Sequence, residues 1–247
     1  MHLVGVDIGF SERRRSNGIA VLRDGELIRA ERLSVSQRDA ALRELRDVDA
    51  VAIDAPLLPP GTADALPRYC ERFFSLGLFQ KRCKPGMSHI RGTGRRLREH
   101  GRRAAEQLLM ARSFVTSNEP RQRIWPDAPI VEAFPNAFLG VVIPEDDYVT
   151  ATKMRRGGKF DWLYERWIDR GLFRAVAHAA QLPPEISARG EAETDHDIRA
   201  ALVCLLTAAF AAQGTAVAVG QDDGYFFLPP ARLWAKWASD SIDTRRA

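Results

Sequence analysis

Apolar residues fall in short strand-like runs through the first 54 positions. His2 to Ile8 and Asn17 to Leu22 are brief, apolar and partly β-branched, which is strand composition. Arg23-Asp24-Gly25-Glu26 separates the second run from a third, Leu27 to Leu33, and Asp-Gly tolerates the positive φ of a tight hairpin turn. Three antiparallel strands are expected to open the fold. Ser36 then stands as an N-cap for a helix reaching about Arg46, with Ala40, Ala41, Leu42 and Leu45 spaced to bury one stripe. Asp49 to Asp54 (DAVAID) returns to strand composition and breaks at Pro56. Because a helix carries the chain to it, this strand is expected to be central and parallel to an earlier one.

From Leu57 to about Pro126 the pattern loosens, and one helix is expected there, Arg95 to Phe114. Regularity resumes with Pro129 to Phe134 (PIVEAF), a strand bearing Glu132 and followed by a helix start at Pro135. Lys159 to Phe173 and Asp197 to Ala212 read as helices, and Gly224 to Leu228 as an aromatic strand. The expected architecture is a single α/β domain over 1–234, interrupted by a helical, basic insertion at about 57–126 and followed by a tail, 235–247. A chain of 247 residues accommodates one such domain but would cramp two.

With 45% hydrophobic and 28% charged residues the chain is too apolar for wholesale disorder. No apolar run approaches the ~20 residues of a membrane helix and the first residues lack a secretory pattern, so a cytoplasmic location without membrane association is expected. Cys70, Cys83 and Cys204 include no CxxC pair, which argues against a disulfide framework or a cysteine zinc site. The net charge of +4 is mild but unevenly placed: residues 81–104 carry nine Lys or Arg against one acid, Glu99. Such a local field attracts polyanions, nucleic acid among them, although an arginine-rich helix face also occurs simply as solvated surface.

Asp7 and Asp54 end their apolar strands. If those strands are parallel neighbours, both carboxylates emerge on one sheet edge, where open α/β sheets place ligands. Two close acids repel, and a divalent cation keeps both ionised. Glu132 lies among apolar strand residues and must be paired, metal-bound or directed into a cleft, because burying it alone is costly. Thr194-Asp195-His196-Asp197 opens an apolar helix and resembles a capping box in outline. Asp195 and Asp197 stand about 200° apart on a helix, so one is expected to cap while the other, Asp197, faces the sheet edge. His196 is either a proton carrier or a surface residue. Carboxylates without a cysteine or HExxH pattern select oxygen-ligated Mg²⁺ or Mn²⁺. The catalytic set expected is Asp7, Asp54, Glu132 and Asp197, and the metal ligands Asp7, Asp54, Asp195 and Asp197. Arg13, Arg14 and Arg15 follow Asp7 in a loop; with Arg68 and the pairs Arg95-Arg96 and Arg102-Arg103, seven apart on one helix face, Arg13 and Arg14 are the expected phosphate contacts.

Taken in order, VGVDIGF, VAIDAPL, PRYCER, VEAFPNAF, TDHDIRAALVCLLTAA and GYFFLPP resemble the motifs of domain of unknown function 429, a family described as predicted nucleases of ribonuclease H-like fold. The resemblance spans about residues 3–230 and implies a mixed sheet with flanking helices and acids at Asp7, Asp54, Glu132 and the Asp195/Asp197 pair. It also implies Mg²⁺- or Mn²⁺-dependent hydrolysis of nucleic-acid phosphodiesters. The family helix usually carries a further Asp where this chain has Arg199 or Ala200. Two alternatives stand beside the nuclease: a non-catalytic nucleic-acid-binding module with a degenerate site, and a phosphotransferase of the sugar-kinase and actin class. The latter needs a second similar domain and a glycine-rich phosphate loop, and IDAPLLPP is a poor one because proline lacks the amide donor.

Overall fold

The computed structural model describes residues 1–58, 66–83, 87–89, 92–110, 130–149 and 158–246. Three strands, β1 (His2–Asp7), β2 (Asn17–Arg23) and β3 (Glu26–Leu33), form the expected antiparallel meander, turned at Asp24-Gly25. Ser34, not Ser36, caps the helix α1 (Val35–Glu44): its hydroxyl accepts from the Gln37 N–H, and the Gln37 side chain returns to the Ser34 N–H. β4 (Ala50–Asp54) then runs parallel to β1. After α2 (Tyr69–Phe74), α3 (Gly77–Cys83) and α4 (Thr93–Met110), the short β5 (Ile130–Glu132) joins parallel to β4. The sheet order is β3-β2-β1-β4-β5, and β2 alone runs against the other four. The expected end of the basic helix at Phe114 and the first residue of the fifth strand, Pro129, lie outside the described residues.

The remaining elements are α5 (Pro135–Gly140), α6 (Glu145–Val149), α7 (Lys159–Asp169), α8 (Leu172–Ala179), α9 (Pro184–Ala192), α10 (His196–Ala212), the hairpin β6 (Val217–Gln221) and β7 (Gly224–Leu228), and α11 (Lys236–Arg246). Lys159–Phe173 is thus two helices, because Gly171 takes a left-handed φ of 65° between them.

Strand alternation divides the core. Leu3, Ala50, Ala52 and Val131 belong to the larger cluster, under α10, which is almost wholly apolar from Ala200 onward, while Val4, Val6, Val51, Ile53 and Ile130 face the other way, onto α1 and α4. The 57–126 segment contributes to the larger cluster through Cys70, Phe73, Phe74, Phe79 and Cys83 of α2 and α3. Lys236–Arg246, within the segment expected to be a tail, form the helix α11. Trp237, Ala238 and Ile242 are buried in the same core, and the Trp237 indole N–H donates to the Ile143 carbonyl at 2.8 Å. Buried aromatic area of this kind outweighs the polar composition that made the segment look detached.

Candidate active site

Parallel pairing sets Asp7 opposite Asp54 as the last register pair of β1 and β4. Both continue the alternation that places Leu3, Gly5, Ala50 and Ala52 under α10, so both carboxylates lie on the α10 face of the strand ends. Neither forms an ion pair among the described residues. Burial first, then the charges of Asp54 and Asp197, push the Asp7 pKa well above the carboxylate range. Burial and the charge of Glu132 push Asp54 up to about 7. The pair is therefore short of positive charge.

Two glycines bring the third carboxylate here. A Cβ at Gly5 would stand 2.1 Å from the Ala201 carbonyl oxygen, and one at Gly18 only 1.9 Å from that of Asp197. α10 consequently rests on the bare backbone of β1 and β2, and Gly18 is itself the register partner of Asp7. Asp195, not Thr194, is the N-cap of α10, accepting from the Asp197 and Ile198 amides at 3.0 and 3.2 Å, which agrees with the expectation that Asp195 caps while Asp197 faces the sheet edge. Asp197, two residues further on, lies beside Asp7 as expected, but Arg32 of β3 reaches it at 2.9 Å and Asp195 at 3.2 Å. Burial raises the Asp197 pKa while Arg32 opposes the rise.

Glu132 does not join this group. Its register partner is Ile53, so it shares the face of Ile53 and Ile130, opposite to that of Asp54. There it is only 4% exposed and Arg68, 1% exposed, grips it bidentately, with both N–O distances 2.6 Å. The Leu57 amide donates to the same carboxylate at 2.9 Å. Burial raises the Glu132 pKa and Arg68 works against that rise; the short fork geometry is that of an ionised pair. Arg68 also donates from Nε to Glu71, whose carboxylate accepts from Ser88 and lies 3.9 Å from Arg98. Arg68 is thus a buried structural partner, correcting its reading as a phosphate contact. This cluster and Asp54 border a cavity of about 330 Å³, lined also by Pro56, Leu97, Phe134 and Phe226.

The remaining expected contacts divide similarly. Arg13 and Arg14 are exposed in the loop after Asp7, and Arg96 and Arg102 are exposed on α4. Arg95 is exposed but paired with Glu99 at 3.3 Å. Arg103 donates to the buried Asp39 at 2.5 Å and is held there. Gly101 lets α4 pack onto Ala55, so this arginine-bearing helix runs beside the residue that follows Asp54. His196 turns away to Asp161 of α7, at 3.0 Å, and Arg199 donates to the Glu193 carbonyl and covers the Tyr164 ring. Neither reaches the acid pair. Sequence reasoning missed Arg32, Gly5 and Gly18; a glycine inside an apolar strand was the available signal for the last two.

Among the described residues no group of three or more His, Cys, Asp or Glu is disposed to hold a metal ion. Asp7 and Asp54, adjacent oxygen donors lacking a cation, nonetheless fit one edge of a Mg²⁺ or Mn²⁺ site, whereas Glu132 and Asp195 are committed elsewhere. No helix among the described residues is long and apolar enough to cross a membrane. A family model described as "Protein of unknown function (DUF429)" matches residues 5–224. No curated protein and no solved structure matches the chain.

Proposed function

We propose that this chain, which belongs to the DUF429 family of proteins of unknown function, is a Mg²⁺- or Mn²⁺-dependent hydrolase of nucleic-acid phosphodiesters built on a ribonuclease H-like sheet. The observation that carries this reading is the register pair Asp7 and Asp54, two carboxylates on one face with no ion-pair partner among the described residues. The strand order, with β2 alone antiparallel, supports the fold assignment. Asp7 and Asp54 would hold the ion, with Asp197 beside them. Bound there, such an ion activates water and neutralises phosphodiester charge. Arg13 and Arg14 after β1, and Arg95, Arg96 and Arg102 on α4, would position the phosphate backbone on either side of the acid pair.

Arg32 favours a second reading. It already neutralises Asp195 and Asp197, which suits a binding module whose third ligand is engaged. Cleavage assays with single- and double-stranded DNA and RNA in Mn²⁺ separate the two. Asp7→Asn or Asp54→Asn should lower cleavage by on the order of a hundredfold or more with the fold intact. A wild type that binds nucleic acid but cuts none of these substrates would establish the second reading.

A further inference from the structure

The cavity beside Asp54 is lined by two kinds of surface. Phe134 and Phe226, with ring centroids 4.7 Å apart, join Pro56 and Leu97 to make an apolar wall. At its inner end lie Arg68, Glu71 and Glu132, all buried. Arg68 gives one N–H each from Nε, Nη1 and Nη2 to these carboxylates, and a guanidinium has five N–H donors in all. Among the described residues polar capacity therefore remains at Arg68, in a cavity that Asp54, Ser88 and Thr93 also line. A purely hydrocarbon ligand would leave it unanswered.

We propose that this cavity receives one unpaired base of a nucleic-acid strand whose backbone lies at Asp54. The proposal rests on the phosphodiester reading above and extends it to the substrate class: single-stranded or locally unpaired nucleic acid. A base has a flat π-face for the Phe134 and Phe226 side and an edge of donors and acceptors for the Arg68 and glutamate end. Asp54 belongs both to the acid pair and to the cavity wall, so an inserted base keeps its own phosphate next to the carboxylates. The Arg68 and Glu132 charges cancel within the pair, which suits a neutral base better than a second phosphate.

The test is fluorescence anisotropy in a Ca²⁺ buffer, with a short labelled single strand and a strand of equal length in which every sugar lacks its base. The intact strand should bind the wild type about tenfold more tightly or better, because stacking is lost from the abasic one. Leu97→Trp, which fills the cavity from α4, should bring the intact strand down to the abasic level and leave the abasic strand unchanged. Phe134→Leu, which keeps apolar packing but removes the ring, should weaken the intact strand selectively and covers the case in which Leu97→Trp does not fold. Equal affinity for the two strands, in a wild type that cleaves nucleic acid, overturns the base pocket and leaves the hydrolase reading standing. Binding of neither strand overturns both. Undiminished binding of the intact strand by a folded Leu97→Trp also overturns the pocket.

Discussion

Two carboxylates at neighbouring strand ends, Asp54 on β4 and Glu132 on β5, have opposite surroundings. Each follows an apolar run and each is pushed toward its neutral form by burial. Glu132 is met by Arg68, which arrives from the start of α2, and by the Leu57 amide. Asp54 is met by another carboxylate, Asp7. A one-residue difference in pleat parity decides between them, since it directs Glu132 to the face where Arg68 waits and Asp54 to the face of Asp7. A buried acid that has found its cation holds the fold together. One that has found only another acid is left with a charge deficit that a ligand can fill.

The sharpest way to break this contrast is to remove the cation that distinguishes the two. Arg68→Met leaves Glu132 buried without its cation and should cost about 3–5 kcal/mol in urea unfolding. Asp54→Asn, in metal-free protein, removes a repulsion and should leave stability equal or higher. Comparable losses in both variants would erase the distinction.

Next in size is the effect of separating α10 from the sheet. Gly18→Ala sets a methyl against the Asp197 carbonyl, so the helix must shift, at about 1–3 kcal/mol. Because the same contact holds Asp197 beside Asp7, Mn²⁺ affinity should fall as well. An unchanged melting temperature together with unchanged Mn²⁺ affinity would mean that the close approach sets neither.

A smaller effect is a pH trend. The Asp54 pKa rises in the folded protein to about 7 from an ordinary 3.8, so between those values the folded chain holds more protons than the unfolded one. Its contribution to stability is then lost as pH rises through that window. The stability of metal-free Asp54→Asn relative to wild type should therefore grow from pH 4 to pH 7 and level off above it. A flat or falling difference would show that Asp54 ionises normally.

Much of this was legible in the residues. DAVAID and VGVDIGF placed both acids at parallel strand ends, and the helix opening at Asp197 put the third nearby. Legibility stopped where a distant residue decides. Nothing near Glu132 in sequence announces Arg68, 64 residues away, or near Asp195 the Arg32 that lies 163 residues away. The run from 235 shows few apolar residues, and its two large ones, Trp237 and Ile242, stand five apart, about 140° around a helix, so no three- or four-residue repeat announces that both are buried.

Whether Asp7 and Asp54 hold a divalent cation decides the function of this sheet edge. Calorimetric titration of Mn²⁺ into metal-free protein at pH 8, where both carboxylates are most readily ionised, compares wild type with the Asp7→Asn, Asp54→Asn double variant and with Glu132→Gln. Binding by the wild type and by a folded Glu132→Gln, and its loss in the double variant, is the predicted result. Undiminished binding in the double variant, or its loss in Glu132→Gln alone, would contradict the assignment of the two acids.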